Sequence, residues 1–144
     1  MPDSAEELVQ DMYSTLRQGG PEELLARYEE FFSADFEWTP VLIGSIEGRR
    51  TYVGREEFSG YWEDFSAAFD EVDPGAAPAE ALDDGWVMID ARLRVRGTGS
   101  GVPIDRNAAY LFKVRDGRIV AARSFWNRAD ALTFLADSKA DSNA

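Results

Sequence analysis

Hydrophobic residues recur at helical spacing in the first half of the chain, which predicts three helices. Ser4 and Glu7 form a capping box at the start of the first helix, and Gly19-Gly20 ends it. Pro21 begins the second helix, and Gly54 precedes the third. The apolar stripe of the second helix contains Leu24, Leu25, Tyr28, Phe31 and Phe32, and that of the third contains Phe58, Tyr61, Trp62, Phe65 and Phe69.

The segments before and after the third helix lack helical spacing of hydrophobic residues, and we predict them to be extended or irregular. Residues 36–38 form a short predicted strand that Pro40 ends, because proline cannot donate a hydrogen bond to a sheet. Residues 41–53 are predicted to be an irregular loop. Residues 73–79 are rich in Pro, Gly and Ala, and they predict the connection between the helical half and the strands.

From residue 86 the hydrophobic period changes to strict alternation, which predicts a long strand over 86–96. Its apolar face carries Val87, Ile89, Ala91, Leu93 and Val95, and its mixed face carries Trp86, Met88, Asp90, Arg92, Arg94 and Arg96. A glycine-rich turn at 97–101 leads to a long hairpin that reverses at 115–117. Asn127 then caps a final helix with Ala129, Leu132 and Leu135 on its apolar side.

The register of this hairpin decides which side chains share a face. A three-residue turn at 115–117, with its glycine in the left-handed region, groups Tyr110 and Phe112 with Ser124. A two-residue turn groups the odd-numbered positions with Ser124 instead. We favour the first register because it gathers apolar side chains on one side of the hairpin.

Helices first and long strands afterwards is the order of an α+β fold. We expect the N-terminal helices to pack on one face of an antiparallel sheet, with a short helix at the C-terminal end. The sequence indicates a single domain over residues 4–136, with no internal repeat, and a disordered tail over residues 137–144.

The chain has 144 residues and contains neither histidine nor cysteine. Their absence excludes Ser-His-Asp and Cys-His catalysis, zinc sites built on nitrogen or sulfur, and disulfide bonds. Carboxylates, Tyr, Lys and Arg remain for chemistry. No aspartate-rich loop with Mg²⁺ or Ca²⁺ spacing occurs, so the sequence predicts no metal and no cofactor.

The net charge is −12, and the acidic residues are concentrated in the first half of the chain. Such a chain repels nucleic acid. We interpret the acidic helices as solvated faces; the alternative is that arginines of the second half dock an acidic partner or ligand. No apolar run of about 18 residues could cross a membrane, and the acidic N-terminus is unlike a signal peptide, so we expect no membrane partner and a cytoplasmic location.

Several motifs together resemble a known family. They are Tyr52-x-Gly54-Arg55 ahead of the aromatic helix, Gly99-x-Gly101-Val102-Pro103, Arg115-Asp116-Gly117-Arg118-Ile119-Val120, and Trp126-Asn127-Arg128-Ala129-Asp130-Ala131-Leu132. Over residues 4–136 the chain is similar to SnoaL-like domains of the nuclear transport factor 2-like superfamily. The resemblance implies a cone-shaped α+β fold with a curved sheet, and a homodimer through the open sheet face. The superfamily includes ketosteroid isomerases, polyketide cyclases, epoxide hydrolases, scaffolds and many members with no assigned role, so fold alone does not select a function.

The catalytic positions of the superfamily carry other residues in this chain. The Tyr, the carboxylate base and the acid of ketosteroid isomerases fall near Met12, Thr39 and Ala109. Tyr13 lies one residue from the first position, a rotation of about 100° on a helix, and we expect it to point away from the pocket. The last-strand Asp of the cyclases and epoxide hydrolases is replaced by Ser124, and a cyclase-type His falls near Tyr110.

Asp90 and Arg92 form the remaining candidate pair for catalysis. If the mixed face of their strand lines the cone, Asp90 is buried and serves as an acid or base, with Tyr110 as hydrogen-bond donor. If that face lies outside, the pair is a surface ion pair worth about 0–1 kcal/mol. Glu37 is a second candidate base.

The aromatic residues and hydroxyls predict a pocket for a small, mainly apolar ligand, with polycyclic molecules included. The predicted catalytic residues are Asp90 and Tyr110, and the predicted ligand-binding residues are Tyr28, Trp38, Trp62, Phe65, Arg92, Phe112, Ser124 and Trp126. The first hypothesis is a binding protein. Two alternatives stay open: a cofactor-independent isomerase, cyclase or epoxide-hydrolase-like enzyme, and an assembly module whose cone is filled by side chains.

Overall fold

The computed structural model describes residues 4–40, 51–73, 78–97, 101 and 103–142. Most of the predicted loop 41–53 and the central parts of the segments 73–79 and 97–101 lie outside the described residues. Within the described residues the helices are α1 (Ala5–Ala26), α2 (Tyr28–Phe31), α3 (Gly54–Ala68) and α4 (Arg128–Ser142). The strands are β1 (Phe32–Thr39), β2 (Tyr52–Val53), β3 (Phe69–Asp73), β4 (Ala79–Ala81), β5 (Trp86–Gly97), β6 (Pro103–Arg115) and β7 (Arg118–Phe125).

Helix α1 begins and bends where the sequence predicts. The Ser4 hydroxyl accepts a hydrogen bond from the Glu7 N–H at 3.1 Å, which caps the helix. At Gly20 the backbone angles are φ 74° and ψ −176°, a region that is open essentially to glycine alone. This residue divides α1 into two helical segments, and Pro21 starts the second of them.

The sheet is mixed rather than purely antiparallel. In the described residues its strand order is β2-β1-β7-β6-β5-β3, with β4 also paired to β5. Strands β1 and β7 run parallel, and the other pairs are antiparallel. Strand β1 already begins at Phe32, which the sequence assigns to a helix, and Phe69 begins β3 instead of ending α3. Strand pairing overrides the local helical spacing at both places.

The β6–β7 hairpin has a shorter turn than predicted but keeps the predicted faces. Asp116 (φ 52°) and Gly117 (φ 74°) form a two-residue turn, whose twist matches that of the strands. A bulge then leaves Val120 unpaired, since Lys113 pairs with Ala121 while Val114 pairs with Ile119. The extra residue restores the predicted grouping: Tyr110 lies opposite Ser124, and Phe112 lies opposite Ala122.

Separate apolar clusters cover the two faces of the sheet. We call the side packed by α1, α2 and α3 the inner face; its buried residues on β5–β7 include Val87, Ile89, Ala91, Ala108, Phe112, Ile119 and Ala122. The opposite side is the outer face, where Met88, Ala109, Leu111 and Phe125 pack against Ala131 of α4. The structure confirms the α+β class, but helices cover both faces. Strands β6 and β7 carry apolar side chains on both sides, so α4 has a surface of its own to bury.

Helix α4 also extends further than predicted. It continues to Ser142, so most of the segment expected to be a disordered tail is helical.

Candidate functional site

A cavity of about 270 Å³ lies between the inner face of the sheet, α1 and α3. The strands provide its floor with Phe32, Phe36, Trp38, Ala108, Tyr110, Phe112, Ala122 and Ser124. Helix α1 provides one wall with Met12, Tyr13, Leu16, Arg17, Gly20, Pro21 and Leu24, and α3 provides the other with Phe58, Tyr61, Trp62, Phe65 and Ser66.

The rim of the cavity lies between the two helical walls. Arg17 on α1 and Ser66 on α3 are exposed, whereas Ala122 and Ser124 at the floor are buried. The Arg55 guanidinium at the start of α3 donates a hydrogen bond of 3.1 Å to the backbone carbonyl of Leu25 near the end of α1. This bond ties the two walls together beside the cavity.

Rigid rings held edge to face build most of the lining. The Tyr61 ring lies 5.6 Å from that of Trp38 and 5.1 Å from that of Trp62, at interplanar angles of 79° and 72°. On the other side, Phe36 meets Phe58 at 5.2 Å and 82°. Edge-to-face pairs are favourable, and planar side chains with few rotamers cannot collapse into the space between them. The cavity therefore stays open inside a dense aromatic core.

Two phenol groups at the cavity, those of Tyr61 and Tyr110, are neutral at physiological pH. Burial raises the pKa of Tyr110, and the nearby phenol of Tyr13 raises it further. Burial likewise raises the pKa of Tyr61; the Tyr110 phenol adds to this effect, and the Trp38 indole opposes it. These hydroxyls can donate or accept hydrogen bonds, but they do not ionise near pH 7.

Two indole N–H groups at the cavity have no hydrogen-bond partner of normal geometry among the residues that the structure describes. They are Nε1 of Trp38, whose residue is 7% exposed, and Nε1 of Trp62. An indole nitrogen only donates, and a buried donor without an acceptor costs about 1–3 kcal/mol. Both nitrogens are themselves buried, but they belong to side chains that line the cavity, so a small shift of either ring would offer its N–H to a ligand oxygen.

Charged groups are nearly absent from the lining. Among the described lining residues, Arg17 carries the only charge, and no carboxylate occurs. The described residues also contain no cluster of three or more Asp or Glu side chains that could hold a metal ion. The arrangement suits recognition by hydrogen-bond donors and ring contacts more than proton abstraction by a carboxylate.

The carboxylates that the sequence offers as bases lie outside the cavity. Asp90 is exposed and pairs with Ala109 of the outer face, and Arg92 is exposed and forms an ion pair with Asp105. That ion pair lowers the pKa of Asp105. Glu37 is also exposed, one residue before the inward Trp38. The expectation that Asp90 and Arg92 line the pocket is wrong, because Val87, Ile89 and Ala91 of the same strand cover the inner side.

Two predicted aromatic residues support the cavity without lining it. Tyr28 packs 5.0 Å from Phe32 and donates a hydrogen bond of 2.8 Å to the Ser33 carbonyl, and its burial raises its pKa to about 12. Trp126 is half-buried at the edge of the inner cluster, with the Arg106 guanidinium 4.1 Å from its ring centre. The structure does bring six predicted residues to the cavity wall: Trp38, Trp62, Phe65, Tyr110, Phe112 and Ser124.

Helix α1 contributes more residues to the cavity wall than the sequence predicts. Tyr13 is buried and lines the cavity, contrary to our expectation, and so do Met12, Leu16 and Arg17. The pairs Met12/Leu16 and Tyr13/Arg17 are both spaced i, i+4, so they form adjacent stripes on the helix. The cavity is wide enough to contact both stripes. The rotation of about 100° between Met12 and Tyr13 therefore does not turn Tyr13 away from it. The two parallel stripes are the signal that could have shown this.

Comparison with known proteins places this architecture among many solved structures. A family model described as SnoaL-like domain matches residues 9–122. No curated protein matches the chain. No helix of the described residues is long and apolar enough to cross a membrane.

Three similar solved structures show the same fold. One is a hypothetical protein with a ketosteroid isomerase-like fold from Catenulispora acidiphila, in complex with trimethylamine: TM-score 0.66, 22% identity, covering 85% of this chain and 86% of that one. A proposed SnoaL-like polyketide cyclase from Jannaschia sp. CCS1 has TM-score 0.68 and 17% identity, covering 92% and 94%. TerC, co-crystallised with polyporic acid, has TM-score 0.67 and 14% identity, covering 90% and 95%.

Proposed function

The chain belongs to the SnoaL-like domain family, and we propose that it binds a small aromatic molecule that carries a hydrogen-bond acceptor. The observation that carries this proposal is the pair of unsatisfied indole N–H groups, Trp38 and Trp62, at an aromatic cavity. A ligand oxygen would satisfy donors that are otherwise left unpaired at a cost in stability. Planar rings of the ligand would contact the planar rings of the wall.

The size of the cavity favours a ligand with one or two rings. An apolar protein cavity of about 150 Å³ is large enough to bind benzene. The cavity of this chain, at about 270 Å³, is somewhat less than twice that volume. A bicyclic molecule fits such a space, whereas a four-ring skeleton exceeds it. Of the polycyclic ligands expected from the sequence, we therefore propose those with two rings.

Similar structures support a small-molecule site in this fold without identifying the ligand. The protein from Catenulispora acidiphila is in complex with trimethylamine, and TerC was co-crystallised with polyporic acid. These two proteins share 22% and 14% identity with this chain, which is too little to infer that it binds the same ligands. We do not extend the proposal to turnover by a carboxylate, because the described cavity wall contains none.

Two further predictions accompany this function, the cytoplasmic location and the homodimer. Pairing through the outer sheet face would have to use the strip that α4 leaves uncovered, where Asp90, Arg92 and Arg94 are exposed. Native mass spectrometry of the purified protein would give the subunit number and any retained small molecule together.

The four tryptophans allow a direct test of ligand binding. In ¹H–¹⁵N spectra, titration with 2-acetonaphthone, a neutral bicyclic ketone, should shift the indole signals of Trp38 and Trp62. Trp86 and Trp126 lie outside the cavity wall and serve as internal controls. Uniform small shifts of all four signals, or none, would contradict the proposal.

A matched pair of variants identifies the donor. Trp38→Phe keeps a ring at the wall but removes its N–H, and it should weaken 2-acetonaphthone binding by roughly tenfold, the effect of one hydrogen bond of about 1.4 kcal/mol. Trp86→Phe should leave the affinity unchanged. Equal affinities of both variants, measured by calorimetry, would show that the indole donor of Trp38 takes no part in binding.

A further inference from the structure

Arg17 lies at the rim of the cavity and has an unusual electrostatic position. It is the only charged residue among the described lining residues, and its side chain is exposed. The chain as a whole carries a net charge of −12, so a single cation at the entrance of a neutral cavity contrasts with its surroundings.

Other arginines of this chain have acidic partners. Arg27 pairs with Glu30 at 3.0 Å, and Arg128 pairs with Glu80 at 3.0 Å. Among the described residues, no ion pair or hydrogen bond involves Arg17. Its helical neighbours at i±3 and i±4 are Ser14, Tyr13, Gly20 and Pro21, and none of them is acidic. Within the part of the chain that the structure describes, no acidic side chain occupies the guanidinium at the entrance of the cavity.

We propose that the natural ligand is an aromatic carboxylate whose one or two rings fill the cavity and whose carboxylate group lies at the rim beside Arg17. This inference rests on the proposed function and adds the charge of the ligand to it. A guanidinium presents a planar pair of N–H donors that matches the two oxygens of a carboxylate. The exposed hydroxyl of Ser66, on the opposite wall, can donate a further hydrogen bond.

The orientation of the ligand follows from the cost of burying charge. The floor of the cavity offers only neutral groups, among them Tyr110 and Ser124, and an ionised carboxylate placed there would lose its hydration without a counter-ion. At the rim the carboxylate keeps part of its water and meets the single cation. Because water screens an exposed pair, we expect Arg17 to change the affinity by about two- to fivefold.

The experiment compares two ligands with the same ring system. Isothermal titration calorimetry measures the affinities of 2-naphthoate and 2-acetonaphthone for the wild-type chain, Arg17→Met and Arg115→Met. Arg115 is an exposed residue beside the hairpin turn and does not line the cavity, so its variant controls for the change in net charge.

The expected result is that Arg17→Met weakens the binding of 2-naphthoate by about two- to fivefold and changes that of 2-acetonaphthone less than twofold, while Arg115→Met changes neither. Arg17→Lys should retain most of the affinity for 2-naphthoate. Equal losses for both ligands in Arg17→Met, or no loss for either, would overturn the inference and leave the binding function standing. If neither ligand binds the wild-type chain, the proposed function fails as well.

Discussion

The inner and outer faces of the sheet are built from the same strands, yet they pack differently: the inner face borders the cavity, and the outer face is in direct contact with α4. On the outer face, α4 lies directly on a small cluster, and cations cover its rings: the Arg123 guanidinium lies 4.4 Å from the ring centre of Phe134, and the Lys113 ammonium 5.3 Å from that of Trp86. On the inner face, rings meet each other edge to face and hold two helices away from the strands.

The difference shows how side-chain shape decides whether an interface closes. Flexible cations adapt to the surface of the rings below them, and methyl groups such as Ala109 and Ala131 allow close approach of α4. Large planar side chains on the inner face support one another and leave space that no neighbour can fill. All five tyrosines of the chain belong to the inner cluster, four of them buried and Tyr110 packed against it.

The distribution of tyrosines predicts a loss of stability at alkaline pH that reports on the inner face alone. Burial raises the pKa of Tyr28 from 10.0 to about 12, so the folded chain holds this proton more tightly than the unfolded chain. The resulting stabilisation is complete below pH 10 and is lost as the pH rises from 10 through about 12. For Tyr28 alone the loss is on the order of 1–3 kcal/mol, and the raised pKa values of Tyr61 and Tyr110 act in the same direction.

Urea unfolding across this pH range, together with the absorbance of tyrosinate, measures the effect. Tyr28→Phe is the control: it should cost about 1 kcal/mol at neutral pH through the lost hydrogen bond to Ser33, but it should reduce the alkaline loss. Full ionisation of the tyrosines near pH 10 in a folded chain would show that the inner rings are accessible to solvent.

The same substitution at two adjacent alanines of β6 tests whether the inner face is packed less tightly than the outer face. Ala108 lines the cavity, and Ala109 lies in the closed outer cluster. Ala109→Leu should destabilise the fold by about 1–3 kcal/mol through overpacking and leave ligand binding intact. Ala108→Leu should cost less than 1 kcal/mol, because the added carbons enter free space, and should weaken 2-acetonaphthone binding by roughly tenfold or more.

Chemical denaturation and calorimetry of both variants check this prediction. If Ala108→Leu is as unstable as Ala109→Leu, the inner face is packed as tightly as the outer one, and the chain is better described as an assembly module with a filled cone.

The smallest effect is expected for the carboxylate that the sequence proposes as a base. Asp90→Asn changes an exposed side chain on the outer side of β5, so ligand affinity should stay within twofold and stability within about 0.5 kcal/mol. Any turnover of a naphthyl ester, enone or epoxide should also be unaffected. A large loss of turnover in this variant would contradict this prediction and show that Asp90 takes part in catalysis.

The sequence predicts the alternation of side chains along β5, but it does not predict which of the two faces of the strand lies toward the helices. The pattern groups Val87, Ile89 and Ala91 on one face and Asp90 with Arg92 on the other, as the structure has them. An apolar face can line a pocket, and so can a face with a buried charged pair. Periodicity alone therefore does not decide which of the two faces lies toward the helices.

The hairpin illustrates the same limit. The sequence locates the reversal and the side chains that share a face, because these follow from local turn chemistry and a period of two. It does not show that a two-residue turn combines with a bulge at Val120, since a bulge depends on the neighbouring strands β1 and β6.

Taken by itself, the sequence determines the order of helices and strands, the pairing of side chains into faces, the family resemblance and the absence of histidine and cysteine chemistry. These properties are local or compositional. Only the tertiary structure places Tyr13 and Arg17 at one cavity with Trp38 and Trp62, and Asp90 outside it. Such convergence depends on where α1 and α3 dock on the sheet, which large aromatic side chains far apart in the chain decide together.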